Sequence, residues 1–253
     1  MLEQIARERV LLGQIREKCS KISQPGVSII VATAKLKYID NIFSNYARLI
    51  YPDTELIIIL NKNKLNINDY SMKSIGIKNV RIFQLDESCT LGECLNYGIE
   101  QARYDYISKM DDDDYYGPNY LTDLMNVFKY TDAKVTAKVS RFIFFEHINV
   151  LGIFLPNYEN KFVSSDVAGG TLTFKKEVFN KVRFRNMNCA EDREFCLDCH
   201  SAGIKVYSAD KYNYIYIRHN DLKQHTWKSF SPIDIARIDP LLVTKNFIPF
   251  VIV

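Results

Sequence analysis

After residue 26 the chain alternates short strand-like segments with helix-length ones, and that alternation restricts its fold more than any other feature. Residues 27–32 and 55–60 read as buried apolar strands, residues 80–85 as a third strand and residues 106–110 as a fourth. Between them, residues 38–50 suit a helix that ends near Pro52. Residues 61–68 are polar and rich in asparagine, as a loop is. Residues 91–102 form a helix with Leu91, Cys94, Leu95, Gly98 and Ile99 facing inward, and Pro118 opens a helix running to about Tyr130. Strands alternating with helices in this way predict a Rossmann-like, doubly wound, mostly parallel sheet with helices on both faces.

The second half changes character. Residues 134–148 alternate apolar and polar side chains, as a half-exposed strand or hairpin does. A polar loop at 157–162, a short strand at 170–174 and a helix from Lys175 follow. Then come a helix over 191–202 ended by Gly203, and strands at 204–208 and 212–218. Residues 1–22 read as a helix with Ile5, Val10, Leu11, Ile15 and Cys19 on one stripe, ended by the segment 23–26. The expected organisation is an N-terminal helix over 1–24 and one α/β domain over 25–253. Within the domain, 25–130 would bind nucleotide and 131–253 would face the acceptor. The helix could pack on the domain, mediate a homo-oligomer or be a linker.

Composition narrows the function classes. The 253 residues are 47% hydrophobic, enough for a full core. A net charge of +3 is too small to imply nucleic acid by itself. The six cysteines follow no secretory signal, so reduced thiols in a cytoplasmic protein are expected. Cys196 and Cys199 form a CxxC near Cys189 and His200, but the segment reads as a helix and a second ligand pair is lacking, so zinc is set aside. No apolar run approaches the length needed to span a bilayer. The apolar tail 246–253 is open to three readings: docking on the core, peripheral contact with a membrane surface, or a boundary of the chain.

Four consecutive aspartates, Asp111 to Asp114, stand just past the fourth strand. Packing like charges together is unfavourable unless something cationic absorbs them. An isolated acidic run is usually a solvated turn. Here it lies beyond the carboxyl end of a strand, where open α/β sheets bind ligands. A hard divalent ion bound to phosphate oxygens would suit it, because such ions take one or two carboxylates and complete their shell with phosphate and water.

Segments 27–33, 51–60, 91–98 and the aspartate run with Pro118, followed by 168–174 and 190–195, together resemble the family 2 glycosyltransferases of the GT-A fold. The resemblance covers roughly residues 27–227. It implies a nucleotide-sugar donor, a UDP-sugar by family habit, a glycan or other hydroxyl acceptor, and a role in polysaccharide biosynthesis. It also implies Mn²⁺ or Mg²⁺ as cofactor. Asp113 is implied as the metal ligand, Asp112 as a contact to ribose or metal-bound water, and Asp111 or Asp114 as support for the loop. Asp192 is implied as the general base, with Glu191 as the next choice. Gly169 and Gly170 are implied to line the donor sugar and acceptor. His219 or His225 is implied to complete the metal shell or contact phosphate, in a loop with Arg218 and Trp227 that closes as a lid. Thr33 matches a nucleoside-contacting position. Where family members commonly carry an aspartate that pairs with uracil, this chain has Asn61, whose amide still offers a donor and an acceptor. Asp86 could share that task.

The expected activity is therefore an inverting, metal-dependent glycosyltransferase. Two other classes were weighed. A nucleotidyltransferase would need a glycine-rich phosphate loop after the first strand, and residues 32–37 contain no glycine. A non-catalytic carbohydrate-binding or scaffold module would be expected to have lost the acidic residues, which are intact.

Overall fold

The computed structural model describes residues 2–164, 167–219 and 232–253. In chain order the first half runs α1 (Leu2–Ser20), β1 (Val27–Thr33), α2 (Ile39–Arg48), β2 (Thr54–Leu60), α3 (Ile67–Lys73), β3 (Val80–Gln84), α4 (Leu91–Gln101), β4 (Tyr106–Lys109), β5 (Tyr115–Tyr116) and α5 (Tyr120–Tyr130). The second half continues β6 (Val135–Ala137), β7 (Arg141–Phe145), β8 (Val150–Phe154), β9 (Lys161–Val163), β10 (Thr173–Lys175), α6 (Glu191–Ser201), β11 (Val206–Ser208), β12 (Tyr214–Arg218), α7 (Pro232–Ala236), β13 (Ile238–Val243) and α8 (Ile248–Val251).

An eight-stranded sheet of order β3-β2-β1-β4-β10-β6-β11-β9 forms the centre. β1 pairs in parallel with both β2 and β4, and β2 with β3. β10 inserts antiparallel between β4 and β6. The apolar strands are apolar throughout because both faces are covered. Ile29 and Val31 of β1 join the cluster under α2 and α5, whereas Ile30 joins the one under α4 and α6. That is the period-2 alternation of a strand serving two cores. α4 is fixed at its start by a capping box, in which Thr90 accepts from the Glu93 amide and Glu93 accepts from the Thr90 amide. Gly98 lets it lie close on the sheet, since a Cβ there would sit 2.7 Å from Ile30.

A second, five-stranded sheet of order β13-β8-β7-β12-β5 was not foreseen. Residues 134–148, expected as one half-exposed strand or hairpin, divide between the sheets as β6 and β7 and are buried from Val135 to Phe144. The polar residues that suggested a solvent face are themselves buried and paired. The Lys138 ammonium donates to the Asp210 carbonyl at 2.6 Å and its carboxylate at 3.2 Å, and the Ser140 hydroxyl to the Leu155 carbonyl at 2.5 Å.

Other local expectations need correcting. The asparagine-rich loop at 61–68 already contains the start of α3, capped by the Asn66 side chain. The polar loop at 157–162 runs into β9, which begins at Lys161. The short strand at 170–174 is a 3₁₀ turn, Gly169–Thr171, followed by β10. The helix from Lys175 is only the 3₁₀ turn Lys176–Asn180, long enough to dip Val178 and Phe179 into the core. In α1, Val10 and Leu11 point outward, at 61% and 55% exposed. Ile5 and Cys19 are buried, and the helix is held largely by polar contacts. Arg16 grips Asp123 through two bonds of 2.7 Å, Arg9 donates to the Ile252 carbonyl at 2.8 Å, and Glu8 pairs with Lys211 at 2.8 Å. The C-terminal tail docks on the core. Val251 and Val253 are buried beside Ile5, Phe142 and Ile215.

Candidate active site

β4 ends at Lys109, and the chain turns through Asp111–Asp114 into β5, which belongs to the second sheet. The backbone of the turn is held from three sides. Asn41 donates its amide to the Asp112 and Asp114 carbonyls at 2.8 and 2.9 Å, and Asn45 to the Asp114 carbonyl at 2.9 Å. The Asp111 amide donates to the Tyr116 hydroxyl at 2.7 Å.

So held, the four carboxylates diverge. Asp111 meets the Lys109 ammonium at 2.7 Å. Asp112 accepts from the Thr33 hydroxyl at 2.5 Å. Asp113 lies 3.9 Å from Lys35. Asp114 is fully buried and accepts from the Tyr214 hydroxyl at 2.6 Å and the Ile217 amide at 3.0 Å. Burial, then the neighbouring Asp113, pushes the Asp112 carboxyl up to about 7. Burial and Asp111 raise Asp113. Burial, then Asp113, raises Asp114 well above the usual carboxylate range. This repulsion is what a cation at the cleft face would relieve.

Facing the run is the N-terminus of α6, with Glu191 and Asp192 in its first turn, where the helix dipole favours negative charge. Ala190, just before it, takes the left-handed conformation at φ 63°. Burial raises the Glu191 carboxyl, with Lys109 at 3.8 Å opposing the rise. The turn Gly169–Thr171 fills the gap between the two acidic groups. A Cβ on Gly169 would strike the Asp192 carboxylate, and one on Gly170 would lie 2.6 Å from Asp111 Oδ2. Only glycine permits that approach.

These parts line one cleft of about 980 Å³. It gathers Thr33, Asn61, Asp111, Asp112, Asp113, Gly169, Gly170, Glu191 and Asp192, nine residues singled out from sequence. Asp86 and His219 do not line it. Asp86 organises the adjoining loop. It accepts from the Ser88 amide and hydroxyl and from Asn63, which holds its carboxyl down at about 2. Asn61 donates its amide to the Asp86 and Cys89 carbonyls, so its donor group is engaged in the same loop. His219 sits behind the run. Its Nδ1 is 2.9 Å from Glu146 and its Nε2 3.2 Å from the Asp113 carbonyl, so both ring nitrogens face protein oxygens. His225 and Trp227, and with them most of the expected lid, lie outside the described residues. Five basic residues at the cleft, Lys35, Lys109, Arg141, Arg193 and Arg237, were missed. Lys109 had a signal, a lysine inside an otherwise uncharged strand. Arg141 had none, since it belongs to the unforeseen second sheet. Cys196 and Cys199 are buried against Phe195 in the core.

The donor set suits a hard cation. Among the described residues no three His, Cys, Asp or Glu side chains converge as a metal cage. One or two carboxylates at an open cleft are what magnesium-like ions use when phosphate and water supply the rest of the shell.

Residues 28–183 match the family described as Glycosyl transferase family 2, more than half of the chain. The chain belongs to glycosyl transferase family 2. No curated protein sequence matches it. Among solved structures, this family 2 chain resembles the crystal structure of S. aureus TarS 1-349, with a TM-score of 0.59, 19% identity, and coverage of 76% of this chain and 60% of that one. The same fragment in complex with UDP-GlcNAc gives a TM-score of 0.57 and 19% identity, over 78% and 59% of the two chains. Against the S. aureus TarS structure of greater length the coverage is 76% and 37%, at a TM-score of 0.57 and 19% identity. The family 2 chain thus spans less than two thirds of these neighbours, and at such identity the likeness bears on the fold, which is GT-A. No helix among the described residues is long and apolar enough to cross a membrane.

Proposed function

We propose that the cleft transfers a glycosyl group from a nucleoside diphosphate sugar to a hydroxyl of a glycan or similar acceptor, with inversion at the anomeric carbon. The observation that carries this reading is the convergence of two acidic groups, one at the end of β4 and one at the start of α6, across two glycines in a single cleft. Family membership supports the reaction class, and the complex of TarS with UDP-GlcNAc favours a UDP-linked donor.

The nucleotide occupies the β1 side, with its base against Asn61 and its ribose near Thr33 and Asp112. Asp113, supported by Asp112, would hold a divalent ion, Mn²⁺ or Mg²⁺. Bound there, the ion would supply Lewis-acid neutralisation of the charge on the departing diphosphate. Lys35, 3.9 Å from Asp113, adds positive charge on the same side. Asp192 accepts the proton of the acceptor hydroxyl as its oxygen attacks. A carboxylate can do so if it lies within hydrogen-bond reach of that hydroxyl. Of the acidic pair, Glu191 is 5% exposed and turned toward Lys109, whereas Asp192 is half-buried and abuts the Gly169 turn. The hydroxyl enters opposite the leaving diphosphate, so an α-linked donor gives a β-linked product.

A screen of UDP-, GDP- and dTDP-sugars for donor hydrolysis and transfer, with and without Mn²⁺, tests the reading. Turnover of at least one sugar nucleotide that is lost in Asp192→Asn is expected. Absence of both binding and turnover for every donor would remove glycosyl transfer as the function.

A further inference from the structure

Lys109 is the last residue of β4 and only 4% exposed, yet it lines the cleft. Its ammonium stands 2.7 Å from Asp111 Oδ1 and 3.8 Å from Glu191 Oε1. Its backbone is pinned as well, the amide donating to the Leu172 carbonyl at 2.8 Å. Burial disfavours a charged amine, but Asp111, Glu191 and Asp192 together more than offset that and hold it protonated. One buried cation therefore touches the donor-side run and the acceptor-side helix at once.

The two acidic groups are anchored to different parts of the fold, with the Gly169–Thr171 turn packed between them. The aspartate turn is tied to α2 and to the second sheet. α6 rests on the core through Phe195, Cys196 and Cys199, farther along the helix. At the mouth itself, glycines separate the two.

We propose that Lys109 is a positioning residue. It ties Asp111 to Glu191 and so fixes the distance between the bound donor and the Asp192 carboxylate. It touches neither donor nor acceptor and acts through the two carboxylates it joins. This rests on the glycosyl-transfer reading for its catalytic consequence, though not for the tie. Misplacement of a reacting group by about 1 Å can cost on the order of 10²-fold in rate. Water, small and mobile, tolerates a displaced base better than a bulky acceptor does. Loss of the tie should therefore lower transfer more than donor hydrolysis.

The test compares wild type, Lys109→Arg and Lys109→Met by three measurements. These are calorimetry of UDP with Mn²⁺, the ratio of transfer to donor hydrolysis, and hydrogen exchange over residues 168–171 and 190–194. For Lys109→Met we expect UDP affinity within about threefold of wild type, a transfer-to-hydrolysis ratio at least about tenfold lower, and faster exchange confined to those two segments. Lys109→Arg, which keeps the charge, should recover part of the ratio. An unchanged ratio in Lys109→Met, or equal loss of transfer and hydrolysis, overturns the positioning role. Should Lys109→Met fail to fold, Lys109→Gln takes its place, and a wild-type ratio with wild-type exchange there overturns the proposal. Should the wild type turn over no nucleotide sugar, the glycosyl-transfer reading fails separately. The exchange measurement still decides the tie, and unchanged exchange in Lys109→Met removes it.

Discussion

The neighbouring glycines Gly169 and Gly170 should respond in opposite ways to the same added methyl group. At Gly169 the new Cβ would strike the half-buried Asp192 carboxylate, which accepts from the Arg193 amide at 2.7 Å, and would lie 2.9 Å from Asp192 Cβ. Turning the carboxylate relieves the first contact and a small shift at the start of α6 the second, so Gly169→Ala should cost about 1 kcal/mol, the low end for overpacking. The catalytic cost should be large, because the base is moved from its position. General-base catalysis contributes about 10²–10⁴-fold, so transfer should fall by about 10²-fold or more. UDP affinity should stay within about twofold, since a group needed only in the transition state does not set ground-state binding.

At Gly170 the Cβ would lie 2.6 Å from Asp111 Oδ2 and 2.7 Å from the Tyr116 hydroxyl. Tyr116 is fully buried, accepts from the Asp111 amide at 2.7 Å and donates to the Gly170 carbonyl at 2.8 Å. The Asp111 carboxylate can turn aside, but the Tyr116 hydroxyl cannot. Overpacking of this kind costs about 1–3 kcal/mol, and each kcal/mol lowers Tm by about 2–4 °C in a chain of this size. Thermal melts, UDP calorimetry and transfer assays on the two variants read the contrast. If Gly169→Ala transfers sugar at the wild-type rate, Asp192 is not the base. If the two variants melt alike, the packing argument is wrong.

Other outcomes follow from the same geometry. Asp113→Ala should abolish the dependence of UDP affinity on Mn²⁺ while leaving the melting temperature near wild type, and equal titrations with and without the ion in the wild type would remove Asp113 as a ligand. Arg16→Ala leaves the buried Asp123 carboxylate, among the described residues, with only Asn213 as a side-chain hydrogen-bond partner; breaking such a pair should cost about 2–4 kcal/mol, discounted for the partial exposure of Arg16, and a denaturation midpoint unchanged from wild type would refute it. Asp112, at about 7 in the folded protein against its usual 3.8, binds its proton more tightly when folded, so its contribution to stability is full below pH 3.8 and is lost as pH rises through 7. Between pH 5 and 8 the metal-free wild type should therefore lose stability relative to Asp112→Asn, and parallel pH profiles of the two would contradict the assignment.

The first four strands, with α2 and α4 between them, were legible because their signal is local, whereas α3 was read as loop. β1 and β2 are apolar along their length, and α4 carries its own cap. The second sheet was not legible. Apart from the β7–β8 hairpin its strands pair across large sequence separations, and one of them, β5, is two residues long. Polar side chains between β6 and β7, where the chain passes from one sheet to the other, are buried with partners supplied from elsewhere, as Lys138 is by Asp210. Periodicity treats such residues as solvent-facing. The site was legible where chemistry and position coincide, at the aspartate run and at Glu191 and Asp192. Sequence could not show that His219 turns both nitrogens toward protein oxygens, or that Asp86 is spent on its own loop, because those facts depend on which partners the fold delivers.

The four aspartates illustrate why a run of like charges can be both structural and chemical. Asp114 is spent on the joint between the two sheets, with both of its oxygens taken by residues of β12. Asp111 is spent on Lys109, and Asp112 is oriented by Thr33 at the end of β1. Asp113 lines the cleft, its carboxylate 3.9 Å from the Lys35 ammonium. The mutual repulsion of the run cannot be relaxed by moving apart, because Asn41, Asn45 and Tyr116 hold the backbone. The fold therefore stores unfavourable charge at the one place where a cation and a diphosphate would discharge it. Removing any of the four would lower activity, but for different reasons. Loss at Asp114 would act through the sheet joint, loss at Asp111 through the tie to α6, and only Asp112 and Asp113 would act directly on what the cleft binds.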